Sequence, residues 1–413
     1  MSAVPASVPV TSVLIVDDSR VQRNHGVQLC RELGIVDVLE AGNGREALAL
    51  LAAMPAKPSV MIVDLEMPTM DGPELLMQLH QRGIDVPIIV ASSRERMLID
   101  SVQQMGGCLG LRVQHALQKP LQLDDLRSAL QSLGQTAVQR AKDQAWASAI
   151  DEDALSAALD RGEISVHFQP KTDLRTGLVR GVEALARWQH PQMGFVPPDR
   201  FIAVAERAEL IHRLTLDVMH QAMLQAAGWQ ARGLHLTLAL NLSPLLLERA
   251  ELPQDIASLA QSHGLSPEGV MLEVTESSLM SQPGVALGVL ARLRLKGFGL
   301  SIDDYGTGFS SLGQLTRIAF TELKIDRSFV RHAPQRDSLQ VILRSAIDLS
   351  NQLGLACVAE GVETMEEWRL LQQYGCTLAQ GWLIAKAMPG YDIVDWCRRH
   401  RQRVPELRAT QEH

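Results

Sequence analysis

Short apolar segments that end in a carboxylate or an amide recur between residues 165 and 385, and that recurrence restricts the chain to few folds. In order they deliver Glu183 in VEALAR, Asn241 in LALNLSP, Glu273 and Glu276 in MLEVTES, and Asp303 with Asp304 in LSIDDYGTG. Lys324 in ELKID, Glu360 and Glu363 in CVAEGVE, and Gln380 in LAQGW continue the series. An acid placed where a buried strand emerges costs folding free energy unless it is paired. Its repetition points to a metal site at one mouth of a barrel, where many strand ends meet. Strand candidates fall at 165–170, 179–186, 235–242, 270–275, 299–304, 322–326, 356–360 and 378–384, with helical patterns between them. Eight strands over about 250 residues predict a TIM-like (β/α)8 barrel across 151–400.

Ahead of the barrel lies a second β/α alternation with wider spacing. SVLIVDD (12–18), VDVLEA (36–41), SVMIVDL (59–65), VPIIVAS (86–92) and a weaker segment near Leu117 read as buried strands separated by helices. That pattern predicts a doubly wound parallel sheet of flavodoxin-like form over 12–133, with its chemistry at the carboxyl ends of the strands. A chain of 413 residues accommodates both domains. Leu123, Leu126, Leu130, Leu133 and Ala137 step by three and four, as in a helix packing on its own sheet, before Arg140, Lys142 and Asp143 interrupt the stripe. The expected organisation is a flexible leader 1–11, a helical linker 134–150 and a polar tail 401–413.

Composition narrows the class. No apolar run approaches the roughly 18 residues of a spanning helix, and the N-terminus lacks the pattern of a signal peptide, so membrane insertion is not expected. Five scattered cysteines without CxxC spacing read as reduced thiols of a cytoplasmic protein. A formal charge of −8 argues against DNA as a partner.

In the first domain, Asp17 and Asp18 end one strand, Asp64 ends another within IVDLEMPTMDG, Ser92 ends a third, and Lys119 precedes Pro120. Parallel neighbouring strands would bring all of them to one edge. Three clustered carboxylates repel one another unless a hard cation such as Mg²⁺ sits among them. Asp64 would then act as nucleophile towards a phosphoryl group, Ser92 as its hydroxyl partner and Lys119 as its counter-charge. At these residues the segment resembles the receiver domain of two-component response regulators. The resemblance implies Mg²⁺ held by Asp17, Asp18 and Asp64, and phosphotransfer to Asp64 from a sensor histidine kinase. Two departures stand out: the Ser92–Lys119 interval is longer than expected, and Ala116, beside His115, occupies a position that is often aromatic.

In the second domain Glu183, Asn241, Glu273, Asp303, Asp304 and Glu360 are all hard oxygen donors, without histidine or cysteine. Such a set selects Mg²⁺ or Mn²⁺ over zinc, and its size allows two ions clamping a phosphodiester, with Lys324 as a fixed positive charge. Trp188 and His190 are expected to pack beneath the mouth. The motifs EAL (183–185), NLSP, EVTE, DDYGTG, KID, EGVE and QGW, in this order, resemble the EAL domain. Members of that family hydrolyse cyclic di-GMP to linear pGpG. The resemblance implies one metal on Glu183, Asn241, Glu273 and Asp303, and a second on Asp303, Asp304 and Glu360. Lys324 and Glu360 would handle the attacking water, and Gln169, Arg187 and Gln380 would contact substrate. Glu276 would tie down the loop 304–310, which carries Gly306 and Gly308, and Glu363 would give outer support.

The resulting expectation is a response regulator, acting as a homo-oligomer (dimer or higher), whose output is a metal-dependent cyclic di-GMP phosphodiesterase controlled through Asp64. The alternative is a non-hydrolytic cyclic di-GMP receptor that signals by protein contacts.

Overall fold

The computed structural model describes residues 10–93, 96–133, 146, 150–275, 283–306 and 318–408. The chain divides into two compact units, Met1–Ala145 and Trp146–His413.

The first unit is a parallel sheet of β1 (Ser12–Val16), β2 (Asp37–Ala41), β3 (Val60–Asp64), β4 (Ile88–Ser92) and β5 (Val113–Gln118), in the order β2-β1-β3-β4-β5. Its central strands read as unbroken apolar runs because helices cover both faces. Leu14, Val16, Met61 and Val63 face one core, whereas Val13, Ile15, Val60 and Ile62 face the other with Leu126, Leu130 and Leu133. The expected last helix is present over 123–133. Local signals set the helix starts: Asn43 accepts from Glu46 N at 3.0 Å and Asp71 from Glu74 N at 2.8 Å. The long Ser92–Lys119 interval is taken up by the helix Arg96–Cys108 and a turn at Gly110 (φ 72°) that leads into β5.

The second unit is a barrel of β6 (Ile164–Asp173), β7 (Val179–His190), β9 (Thr237–Asn241), β10 (Val270–Thr275), β11 (Gly299–Tyr305), β12 (Glu322–Ile325), β13 (Ala356–Ala359) and β14 (Leu378–Ala379). Short strands β8 (Gly194–Val196) and β15 (Met388–Pro389) extend β7 and β6. Neighbours from β7 to β14 run parallel, but β6 is antiparallel to both β7 and β14 and closes the ring. The sequence explains this departure from an all-parallel barrel. A few residues join β6 to β7, turning through Gly177 (φ 67°), whereas a parallel return needs a crossover of a dozen or more. Trp188 is fully buried edge-on to Phe201 at 5.9 Å, and its Nε1 donates to Glu163 Oε2 at 3.0 Å, a packing role as expected. The stretch after residue 400 carries the short helix Val404–Arg408, with Val404 and Leu407 buried; Trp368 Nε1 donates to the Leu407 carbonyl.

Candidate functional site

At the carboxyl edge of the first sheet, Asp17, Asp18 and Asp64 bring ligand oxygens within 4.8 Å of one another. Lys119 reaches over from the end of β5, with its Nζ 2.5 Å from Asp17 Oδ2 and 2.8 Å from Asp64 Oδ2. Burial raises the Asp64 carboxyl above its usual range, and Lys119 opposes that shift. Ser92 is fully buried at the end of β4, and its carbonyl accepts from Lys119 N at 2.9 Å. Ala116 joins the apolar core beside β4, while His115 turns the other way and meets Ser132 Oγ at 2.5 Å.

The barrel mouth is built around Lys324. Its ammonium lies 2.6 Å from Glu360 Oε1, 2.9 Å from Glu273 Oε2, 3.0 Å from Asp303 Oδ1 and 3.6 Å from Glu183 Oε2. Glu183 is held from two further sides. Asn241 Nδ2 donates to its Oε1 at 2.9 Å, and Gln380 Nε2 donates to its Oε2 at 2.7 Å. Gln380 also donates to Gln169 Oε1 at 3.0 Å, and Gln169 in turn to the Ala385 carbonyl at 3.1 Å. Gln169 and Glu183 are direct cross-strand partners, so the antiparallel β6 places its amide at the same mouth. Gly381 permits this approach of Gln380, since a Cβ there would lie 2.1 Å from the Val362 carbonyl oxygen.

Successive residues of a strand face opposite ways, so Asp303 and Asp304 could not both serve one site on a regular β11. The strand departs from regularity at this point. Its register with β12 shifts between Ile302 and Tyr305, and Asp304 adopts φ 56°, a left-handed conformation costing roughly 1–2 kcal/mol for a side chain with a Cβ. The bulge brings Asp303, Asp304 and Glu360 oxygens within 4.8 Å of one another. The chain then passes Gly306 at φ 93°. Glu276 and Gly308 lie outside the described residues.

Electrostatics follow from burial. Burial pushes Glu360 up to about 8, and burial together with Glu273 raises Glu183; Asp303 and Asp304 move the same way, burial leading. Glu273 behaves oppositely. Although burial alone would raise it, two lysines hold it at about 2. Lys324 stays well above its usual range, because the surrounding carboxylates outweigh its own burial.

The structure also supplies residues absent from the sequence reading. Lys171 Nζ meets Glu273 Oε1 at 2.7 Å and Glu322 Oε1 at 3.0 Å inside the barrel. Lys171 stands two positions after Gln169, and Glu322 two before Lys324, so period-two alternation from accepted site residues would have found both. Arg327, Arg331 and Trp382 line the cavity of about 390 Å³ that opens over Glu183, Asp303, Lys324 and Glu360. Glu363 is exposed on that cavity's wall. Arg187 lines an adjoining, largely apolar cavity and donates to the Ala186 carbonyl at 2.9 Å.

Two family profiles match this chain: the response regulator receiver domain over 13–131 and the EAL domain over 152–387. The chain belongs to the EAL family, with a receiver domain in front. A curated relative, cyclic di-GMP phosphodiesterase RocR of Pseudomonas aeruginosa, is 33% identical over 94% of this chain and 98% of its own length. Among solved structures, the PaMucR phosphodiesterase in complex with c-di-GMP is 38% identical (TM-score 0.56), covering 58% of this chain and 97% of that one. The EAL enzyme Bd1971 in its form bound to cAMP and cyclic di-GMP is 27% identical (TM-score 0.57), covering 67% and 73% respectively. No helix among the described residues is long and apolar enough to cross a membrane.

Proposed function

We propose that this chain is a response regulator whose EAL barrel hydrolyses one phosphodiester bond of cyclic di-GMP, giving linear pGpG. The observation that carries the reading is Lys324 buried among Glu183, Glu273, Asp303 and Glu360 at the barrel mouth, in an EAL-family chain. Binding alone gives no reason to bury a lysine among four acids, whereas proton transfer and charge stabilisation do.

The donor set suits Mg²⁺ or Mn²⁺, being oxygen-only and richer in carboxylates than two lysines neutralise. Asp303, Asp304 and Glu360, already gathered, would hold one ion. Glu183, Asn241, Glu273 and Asp303 would hold the other, with the Asn241 carbonyl oxygen as its ligand. Such ions, when bound, stabilise charge on phosphoryl oxygens and make water more acidic. The protein groups then divide the remaining work. Glu360 accepts the proton of the attacking water, and Lys324, 2.6 Å away, orients that water and steadies the charge that develops. Water oxygen bonds to phosphorus as the bond to the leaving ribose oxygen breaks, and that oxygen takes up a proton. Asn241 and Gln380 keep Glu183 from rotating. Gln380 Oε1 is buried with no hydrogen-bond partner, which suits it to accept from a guanine N–H.

In the receiver domain, Asp17, Asp18 and Asp64 would hold Mg²⁺, Asp64 would accept a phosphoryl group from a histidine kinase, and Lys119 and Ser92 would hold that group. Phosphorylation of Asp64 would control turnover in a cytoplasmic protein.

The test is incubation of purified protein with cyclic di-GMP and Mg²⁺ or Mn²⁺, followed by chromatography for pGpG. Metal-dependent appearance of pGpG is expected. Binding of cyclic di-GMP without product under either metal would make the chain a receptor instead.

A further inference from the structure

We propose that Lys171 is a positioning residue of the hydrolytic site, which fixes Glu273 from below so that Lys324 remains available to the reacting groups. The proposal rests on the reading of Glu273 as a metal ligand.

Lys324 alone is short of capacity. Its three N–H donors face four carboxylates at 2.6–3.6 Å. Glu273 lies deepest, with a fully buried side chain, and would otherwise direct both oxygens at that one ammonium. Lys171 takes Glu273 Oε1 at 2.7 Å, leaving Oε2 for Lys324 at 2.9 Å. Gripped at both oxygens, the Glu273 carboxylate cannot turn about its last torsion. Lys171 is itself held, because its second bond goes to Glu322 Oε1 at 3.0 Å. A charge ladder therefore runs up the barrel interior: Glu322, Lys171, Glu273, Lys324, then Glu183, Asp303 and Glu360.

The backbone makes room for this ladder. Lys171 pairs across the hairpin with Gly181, Glu183 with Ala239, and Glu273 and Glu322 both with Ser301. Small side chains next to the long ones leave the lysine stem its volume. The antiparallel β6 matters here too, since it carries Lys171 and Gln169 on one face, at two depths of the same site.

A purely structural ion pair gives a different expectation. Replacing a buried pair by apolar groups of similar volume is often neutral or stabilising. Lys171→Met with Glu322→Met removes one charge of each sign, so the interior net charge is unchanged and folding should survive. Mn²⁺ affinity, read from free Mn²⁺ by electron paramagnetic resonance, should nevertheless fall by roughly 10–100-fold, the usual loss when a ligand's support is removed. Turnover should need correspondingly more metal while KM for cyclic di-GMP stays near wild type. Glu322→Gln, which leaves the Lys171–Glu273 bond intact, should keep near-wild-type Mn²⁺ affinity. A folded double variant with wild-type Mn²⁺ affinity would overturn the proposal. If the double variant does not fold, Lys171→Gln takes its place and the same affinity reading decides. Failure of the wild type to bind Mn²⁺ would instead remove the metal-site reading beneath the proposal.

Discussion

Lys119 stands between Asp17 and Asp64 with 11% of its side chain exposed, whereas Lys324 stands among four carboxylates with 1% exposed. Both lysines gather acids at the carboxyl ends of parallel strands, yet the surroundings differ in kind. Around Lys119, Asp17 and Asp64 are buried but Asp18 beside them is exposed, so the cluster lies at the surface of its domain. In the barrel, five carboxylates face Lys171 and Lys324, both lysines buried. Burial at the first site raises one acid, the proposed nucleophile; at the second, burial lifts Glu360 while Lys171 and Lys324 hold the neighbouring Glu273 low against its own burial. Separation of that kind is what lets one carboxyl handle protons while another stays a fixed charge.

The comparison breaks most sharply at the lysines. Lys324→Met should abolish pGpG formation and destabilise the chain by about 3–5 kcal/mol, because it leaves several buried acids uncompensated. Chromatography and chemical denaturation check the two parts; retained turnover would mean that the buried charge is scaffolding. At the other site the loss is complete but local. Asp64→Ala should eliminate covalent labelling by acetyl phosphate, followed by mass spectrometry, and labelling that persists would place the acceptor elsewhere.

Much of this contrast was legible in the order of motifs, and the reason is physical. Strand-end acids such as Glu183, Asp303 and Asp64 are so costly to bury that each one advertises a site. What escaped was geometry that composition does not carry. Lys171 lies one residue past the expected strand 165–170 and drew no reading; β6 in fact runs on to Asp173 and pairs antiparallel with β7, which turns Lys171 into the barrel. Asp303 and Asp304 were both assigned to the mouth, but the bulge and the left-handed Asp304 that reconcile them with strand alternation could not be read from DDYG. Gln380 was expected to touch substrate. Its amide nitrogen is bonded to Glu183 and Gln169, a role that the motif QGW does not disclose, and its Oε1 has no hydrogen-bond partner.

That double attachment gives an intermediate effect. Gln380→Leu frees Glu183 Oε2 and should cost roughly 10–100-fold in turnover, in line with loss of a group that orients a ligand. Measuring kcat and KM separately sharpens the assignment: a fall in kcat at higher metal demand marks orientation, and a rise in KM alone marks substrate contact.

The smallest expected signal is a single proton, and it separates the two regions by pH. In metal-free protein the mouth should retain a protonated carboxyl near neutrality, since burial lifts Glu360 to about 8 and raises Glu183 and Asp303 with it. The proton belongs to this interacting set as a whole. The sign follows from linkage: a carboxyl raised above its ordinary 4.5 binds more proton folded than unfolded, so its contribution to stability is full below 4.5 and is lost as pH rises to about 8. Infrared difference spectra should show a protonated carboxyl band at pH 7 in chelator-treated protein, bleached by adding Mg²⁺ and weakened in Glu360→Gln. Asp64 shifts in the same direction from 3.8, with Lys119 opposing it, so Asp64→Asn should leave the pH 7 band in place. A band that vanished with Asp64→Asn and survived Glu360→Gln would reverse the contrast between the barrel mouth and the acid cluster around Lys119.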